Sequence, residues 1–442
     1  MSLTPYRRVL QRPGVLRLLV FATLARVPAT AAAVVLTLHV VTTLHLGYAA
    51  AGLVATAATV GMAIGAPWRG RAVDRLGLRR ALVPSIVAEA VVWGSAPFVG
   101  YRLLLVVAFA GGVLGLPIFT VARQSLAALV PGEQRRTAYS LDSMGVELSF
   151  MAGPALGVVV ATQLSTQVAL LGVGACMVIA GLALLVFDPP TRSADTRGEV
   201  EAADSRGEVE ADDVRAGSWS AVELEPTGAR PWFSPGLAAV LGATAAATIV
   251  LAGTDVAIVA VLRSHGAIAL TGVIFALWGI GSMLGAAVYG GMHRSISPLV
   301  LLAGLALLTI PVGLAGSAWA LAVLILPAGA LCAPVITATS DEVVRRVPGR
   351  VRGEAMGWHG SALTLGNAIG APLAGAAVDA VAPWAGFVTV GSVGFVLALT
   401  GLAARGLLGR TSRPLDASGG PASASGAGDA RTCSREPVVP RS

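Results

Sequence analysis

Residues Gly70-Arg71-Ala72-Val73-Asp74-Arg75-Leu76-Gly77-Leu78-Arg79-Arg80 form a short, strongly charged stretch between two hydrophobic runs. An aspartate beside an arginine cluster at a helix end can latch the ends of neighbouring helices, and glycines let backbones approach closely there. The stretch reads as a turn joining two membrane-spanning segments.

Composition supports that reading. The 442 residues are 55% hydrophobic and 12% charged, about half the charged fraction of a soluble domain. The apolar residues fall in blocks of about 20, the length of a helix that crosses a bilayer. The alternating ten-residue pattern of a membrane β-barrel is absent. The expected fold class is an all-α membrane protein. Lysine is absent, so the 31 basic residues are all arginine. They gather at the ends of hydrophobic segments, so the net charge of +7 is not a nucleic-acid footprint. Cys176, Cys332 and Cys433 show no metal spacing and no disulfide framework. The first hydrophobic segment is too long for a signal h-region and lacks a small-residue cleavage site, so it is expected to be retained.

Twelve crossings are expected. The first six are placed at 16–41, 49–68, 80–99, 103–127, 137–162 and 167–187, and the second six at 235–262, 268–291, 297–315, 318–339, 353–379 and 384–408. Arginines crowd the N-terminus, the 2–3 loop, the 4–5 loop (Arg135, Arg136) and the 10–11 loop (Arg345, Arg346, Arg350, Arg352). The opposite loops hold essentially Arg102 and Arg263. The positive-inside rule then puts both termini in the cytoplasm of a multi-pass cell-membrane protein.

The domain expectation is a six-helix half over 1–187, a linker over 188–233, a second half over 234–408 and a tail over 409–442. The linker is acidic and contains a near-tandem duplication, Arg197-Gly198-Glu199-Val200-Glu201-Ala202 and Arg206-Gly207-Glu208-Val209-Glu210-Ala211. Linker and tail have the composition of disordered cytoplasmic segments.

The halves repeat one another. Gly52, Gly61, Gly65 and Gly70 recur 220 residues later as Gly272, Gly281, Gly285 and Gly290. Val130-Pro131-Gly132, Arg135, Ala138 and Leu156 recur 217 residues later as Val347-Pro348-Gly349, Arg352, Ala355 and Leu373. The second helix therefore matches the eighth, and the fifth matches the eleventh. At the first offset Asp74 falls on Arg294, so the second copy of the charged loop lacks its acid.

The loop resembles the signature G-x-x-x-D-R-x-G-R-[RK] of the major facilitator superfamily of transporters. Gly70, Asp74, Arg75, Gly77, Arg79 and Arg80 carry the likeness, and Leu78 departs from the pattern. Helix 5 carries Gly145 and Gly153-Pro154-Ala155-Leu156-Gly157. This resembles, loosely, the G-x(n)-G-P-x-x-G motif associated in that superfamily with proton-coupled efflux. The segment Ala138-Tyr139-Ser140-Leu141-Asp142 with Glu147 is similar to actinobacterial members of unassigned substrate. The resemblance covers both halves but neither linker nor tail. It implies a twelve-helix fold, alternating access, and a substrate site between the halves.

An ionisable side chain inside a spanning helix costs about 2.5–3.5 kcal/mol on insertion scales, so each one needs a partner or a task. Arg26 lies near the middle of helix 1, Arg123 on helix 4, Asp142 and Glu147 on helix 5, and Asp255 on helix 7. Pairs between Arg123 and Asp142, and between Arg26 and Glu147, are geometrically plausible. Two readings stand for Glu147, a carrier of the coupling proton or one half of a static ion pair. For Arg26 they are an anionic substrate or a partner carboxylate. Asp255 falls near the cavity by family analogy, and Glu89 reads as structural or snorkelling. His39, His45 and His359 lack ligand spacing, and 153–154 and 371–372 are expected bending points.

The functional expectation is a secondary transporter, with proton-coupled export of a small amphipathic molecule as first reading. Import of a nutrient by proton symport, and a transport-inactive scaffold of the same fold, are the alternatives. The partners implied are a small-molecule substrate, protons and the lipid bilayer, with a monomer as the expected state. Without lysine no Walker loop is possible. No nucleophile–base–acid cluster appears in the helices, so neither an enzyme nor a cofactor is expected.

Overall fold

The computed structural model describes residues 4–191, 232–292 and 294–411. Most of the expected linker and tail therefore lies outside the described residues. Residues 1–402 form one compact unit; the second, Ala403–Ser442, is described only as helix up to Thr411. Among the described residues there are helices and no strands.

A short helix, α1 (Thr4–Leu10), precedes the first crossing and was not expected. The first half comprises α2 (Val15–Leu38), α3 (Tyr48–Leu76), α4 (Leu78–Ser95), α5 (Tyr101–Leu114), α6 (Ile118–Leu129), α7 (Gly132–Gln163) and α8 (Thr166–Phe187). The second comprises α9 (Pro235–Ser264), α10 (Thr271–Gly291), α11 (Pro298–Thr309), α12 (Ala318–Arg346), α13 (Arg352–Ala380) and α14 (Pro383–Thr411). Eleven of the described apolar stretches are long enough to span a membrane, and the shorter Pro298–Leu314 supplies the twelfth crossing. The fold is two pseudo-repeated halves of six crossings each.

Local chemistry sets the boundaries. Gly77 adopts φ +80° and turns the chain from α3 into α4, a conformation that costs glycine nothing. Ser165, Ser234 and Ser317 cap α8, α9 and α12 by accepting the N–H groups of Val168, Leu237 and Ala320. The expected continuous fourth helix is a correction. It breaks at 115–117 into α5 and α6, because Pro117 has no N–H and Gly115 is extended (ψ 161°).

The sequence repeat is visible as packing. A Cβ on Gly61 or Gly65 of α3 would lie 2.3 or 2.1 Å from a carbonyl oxygen of α5. Their counterparts Gly281 and Gly285 of α10 press on α12 in the same way, at 3.0 and 1.7 Å. Gly70 lies against α13 of the opposite half, and its counterpart Gly290 against α7 of the opposite half. Without a hydrophobic drive between helices in lipid, such small-residue contacts carry the association.

Candidate functional site

The break in the fourth crossing is held by two charged side chains. Arg69 of α3 donates Nη1 to the carbonyls of Gly112, Val113 and Gly115, at 2.8, 3.1 and 2.8 Å. Those are the carbonyls that a helix end leaves open. Glu89 of α4 accepts the Leu116 N–H at 2.8 Å and the Trp93 Nε1–H at 2.6 Å. Both charges are thereby occupied in structure, with α6 released as a separate twelve-residue helix.

That helix aims Arg123 at the centre of the first half. Arg123 Nε lies 3.1 Å from Asp142 Oδ2, and Arg26 Nη1 lies 2.7 Å from Asp142 Oδ1. Arg26 and Asp142 are fully buried, and the Arg26 guanidinium also stacks over Phe119 at 4.9 Å. The expected Arg123–Asp142 pair is present. The expected Arg26–Glu147 pair is not: Arg26 sits with Asp142, one and a half turns along α7 from Glu147. One carboxylate between two guanidiniums leaves the triad with a formal charge of +1. Arg123 continues across the seam, donating Nη1 to Ser340 Oγ of α12 at 2.7 Å.

Glu147 has a different environment. It accepts Ser282 Oγ–H of α10 at 2.6 Å, and Cys332 Sγ of α12 lies 3.8 Å away. Among the described residues it pairs with no arginine. Ser282 in turn accepts the Ala333 N–H at 3.2 Å, which fixes the hydroxyl hydrogen toward the carboxylate. Asp255 of α9 is exposed. Glu147 thus faces α10 and α12 of the second half, one and a half turns along α7 from the arginine triad.

The charged loop forms a second interhalf contact. Asp74 accepts the N–H groups of Gly353 at 2.9 Å and Glu354 at 2.7 Å, at the start of α13. A carboxylate at a helix N-terminus gains from both the open amides and the helix dipole. Gln124, the residue after Arg123, also donates to Asp74 at 3.1 Å. Arg71 pairs with Glu354 at 2.5 Å. Arg79 pairs with Asp188, the residue just past α8, at 3.0 Å, while Arg75 and Arg80 are exposed.

Further contacts close this end. Thr137 donates to the Gly290 carbonyl at 2.6 Å, Ser143 meets Thr337 at 3.0 Å, and Ser361 donates to the Ala63 carbonyl at 2.6 Å. Arg135 lies 3.9 Å from Asp341, and Tyr6 of α1 donates to the Ala287 carbonyl. Burial raises the Tyr6 hydroxyl above its usual pKa, so it remains a donor at neutral pH. These contacts run from the arginine-rich end of the bundle to the midpoints of α7 and α10.

Gly153 and Gly157 lie elsewhere. A Cβ on Gly153 would meet Thr30 Oγ1 at 2.0 Å and one on Gly157 would meet Val35 at 2.9 Å, so this face of α7 packs on α2 inside the first half. Pro154 is accommodated within the continuous α7. His39 and His359 are buried against Thr166 and Thr339, each at 3.1 Å. Among the described residues no group of His, Cys, Asp and Glu could hold a metal ion.

Sequence reasoning did not single out Ser282, Ser340, Gln124 or Phe119, and it counted Arg69 only among the arginines of the 2–3 loop, whereas Arg69 lies inside α3. Ser340 stands 217 residues after Arg123, the offset already found for helix 5, so the repeat held a usable signal for that one residue.

The protein-family model described as Major Facilitator Superfamily matches residues 18–296. Among solved structures, the human organic anion transporter MFSD10 (TETRAN) has a TM-score of 0.65 at 17% identity, over 89% of this chain and 99% of that chain. The MFS proton:xylose symporter XylE, bound to 6-bromo-6-deoxy-D-glucose, has a TM-score of 0.63 at 16% identity, over 88% of this chain and 95% of that chain. At these identities the likeness is one of fold. No curated protein matches the chain.

Proposed function

The chain belongs to the Major Facilitator Superfamily, and from that premise we propose that it is a proton-coupled exporter of a small amphipathic molecule, working by alternating access. In this reading the halves 1–187 and 234–408 rock against each other across the seam, and the acidic segment 188–233 links them. The arginine-rich end, with both termini, faces the cytoplasm of the cell membrane. The conformation described is then the one closed toward the cytoplasm. A substrate site between the halves is what this architecture provides for.

Glu147 is the proton carrier in this reading, and its surroundings support the choice. A coupling carboxylate must exist in both charge states during a cycle. Asp142 is already committed to two guanidiniums. Glu147 meets only a hydroxyl and a thiol, neutral groups that supply no counter-charge. Export rests on the resemblance of helix 5 to the efflux motif.

The test uses purified protein in proteoliposomes with an internal pH dye. Lipophilic cations, neutral aromatics and organic anions are each added in turn, to wild type and Glu147→Gln. A compound-dependent proton flux present in wild type and absent from Glu147→Gln is the expected result. Equal flux in the variant removes Glu147 from the role, and compound movement without any proton flux removes the coupling.

A further inference from the structure

A shallow trough of about 420 Å³ lies on the outer face of the first half, between α2 and α8 at the arginine-rich end. The seam does not use it. Its walls are apolar: Phe21 from α2, with Ile179, Leu182 and Val186 from α8. Ile179, Leu182 and Val186 are 64%, 49% and 82% exposed, so in a bilayer this surface meets lipid chains. The stretch 179–187 rises about 12 Å along its helix. That is within one leaflet of a hydrocarbon core about 30 Å thick.

The mouth of the trough holds one cation. The Arg17 guanidinium stacks over the Phe187 ring at 4.5 Å, and Phe21 braces that ring at a centroid distance of 6.2 Å. Stacking holds the guanidinium plane in place and leaves its in-plane N–H donors available, the geometry that suits a phosphate. Asp188, the acid next in the chain after Phe187, is taken by Arg79. Among the described residues Arg17 has no hydrogen bond and no ion pair. Both Arg17, in the first turn of α2, and Phe187, the last residue of α8, stand where a crossing meets the headgroup layer.

We propose that this trough binds an anionic phospholipid, its acyl chain along α8 and its phosphate on Arg17. A zwitterionic choline lipid presents a second cation beside Arg17 and is disfavoured. The site is independent of the transport reading above, since it needs only the membrane-spanning fold.

Native mass spectrometry of the purified full chain in detergent measures this, with phosphatidylglycerol and phosphatidylcholine of identical acyl chains as probes. Wild type is expected to retain one phosphatidylglycerol more tightly than phosphatidylcholine. Arg17→Gln should weaken phosphatidylglycerol on the order of tenfold and leave phosphatidylcholine unchanged. Leu182→Trp, which fills the trough, should weaken both lipids. Arg8→Gln, a like charge change on exposed α1 outside the trough, should weaken neither. Thermal melting shows that each variant is folded. Equal retention of the two lipids by wild type, or phosphatidylglycerol retention that survives both Arg17→Gln and Leu182→Trp, overturns the proposal. So does a loss in Arg8→Gln as large as that in Arg17→Gln.

Discussion

The two halves share a fold but divide the polar chemistry unequally. The first half keeps its strongest ionic contacts to itself, in the Arg26–Asp142–Arg123 triad and the Arg69 and Glu89 caps on the broken helix. The second half answers across the seam mostly with neutral groups: hydroxyls of Ser282 and Ser340, amides of Gly353 and Glu354, and the carbonyl of Gly290. Among the described residues, Arg71–Glu354 and the looser Arg135–Asp341 are ion pairs across it. The lesson is energetic. Breaking a buried ion pair leaves an uncompensated charge and costs several kcal/mol, whereas exchanging a hydrogen bond between a charge and a neutral group for one to water costs far less. Ionic contacts inside a half resist separation; neutral contacts between halves can be exchanged at lower cost.

The contrast can be broken most severely at Asp142. Asp142→Asn leaves two buried guanidiniums facing each other, and a loss of about 3–5 kcal/mol is expected. Melting of the purified protein reads this, and a variant as stable as wild type removes the triad from the rigid core.

A smaller effect is expected at the seam. Asp74→Asn weakens the charge-assisted bonds to the α13 N-terminus, of the class worth about 1.5–3 kcal/mol. The change should appear as opening of the arginine-rich end and not as unfolding. Spin labels on Arg75→Cys and Arg350→Cys, both exposed, should move to longer separations with little change in melting. If the protein melts early and the distance stays fixed, Asp74 belongs with the intrahalf contacts instead.

Ser282→Ala sharpens the comparison further. It removes one neutral partner from Glu147, with a stability change of about 1 kcal/mol, well below that of Asp142→Asn. Equal destabilisation by the two would erase the distinction between the halves. The smallest effect is expected at Arg345, which pairs with Asp341 and Glu342 on its own half-exposed helix face. Arg345→Gln should stay within about 0.5 kcal/mol, as surface pairs do, and leave the spin-label distances unchanged.

Much of the architecture was legible because membrane burial writes itself into local composition. Segment lengths, the glycine repeat at 220 residues and the Asp74 loop each depend on residues close in the chain or on a strict offset. The Arg123–Asp142 pair was legible too, since antiparallel neighbours at equal depth must meet. The partner of Arg26 was not. Depth along a helix pointed from Arg26 to Glu147, but the length of the arginine side chain and the rotation of α7, set by the packing of Gly145, Gly153 and Gly157 on α2, bring it to Asp142 instead. The break in the fourth crossing was missed for a related reason. Pro117 marked it, yet the carbonyls and amide it frees are satisfied by Arg69 and Glu89 from two other helices.

Class, crossings, repeat and the inventory of charges follow from hydrophobicity and spacing along one chain. Apart from Arg123 and Asp142, which charge meets which follows from the packing in three dimensions. That packing gave Asp142 a second arginine, Glu147 a serine and a cysteine, and Asp74 a helix end in the other half. In a medium without water every charge must find its partner within the protein, and the nearest partner in space is seldom near in sequence.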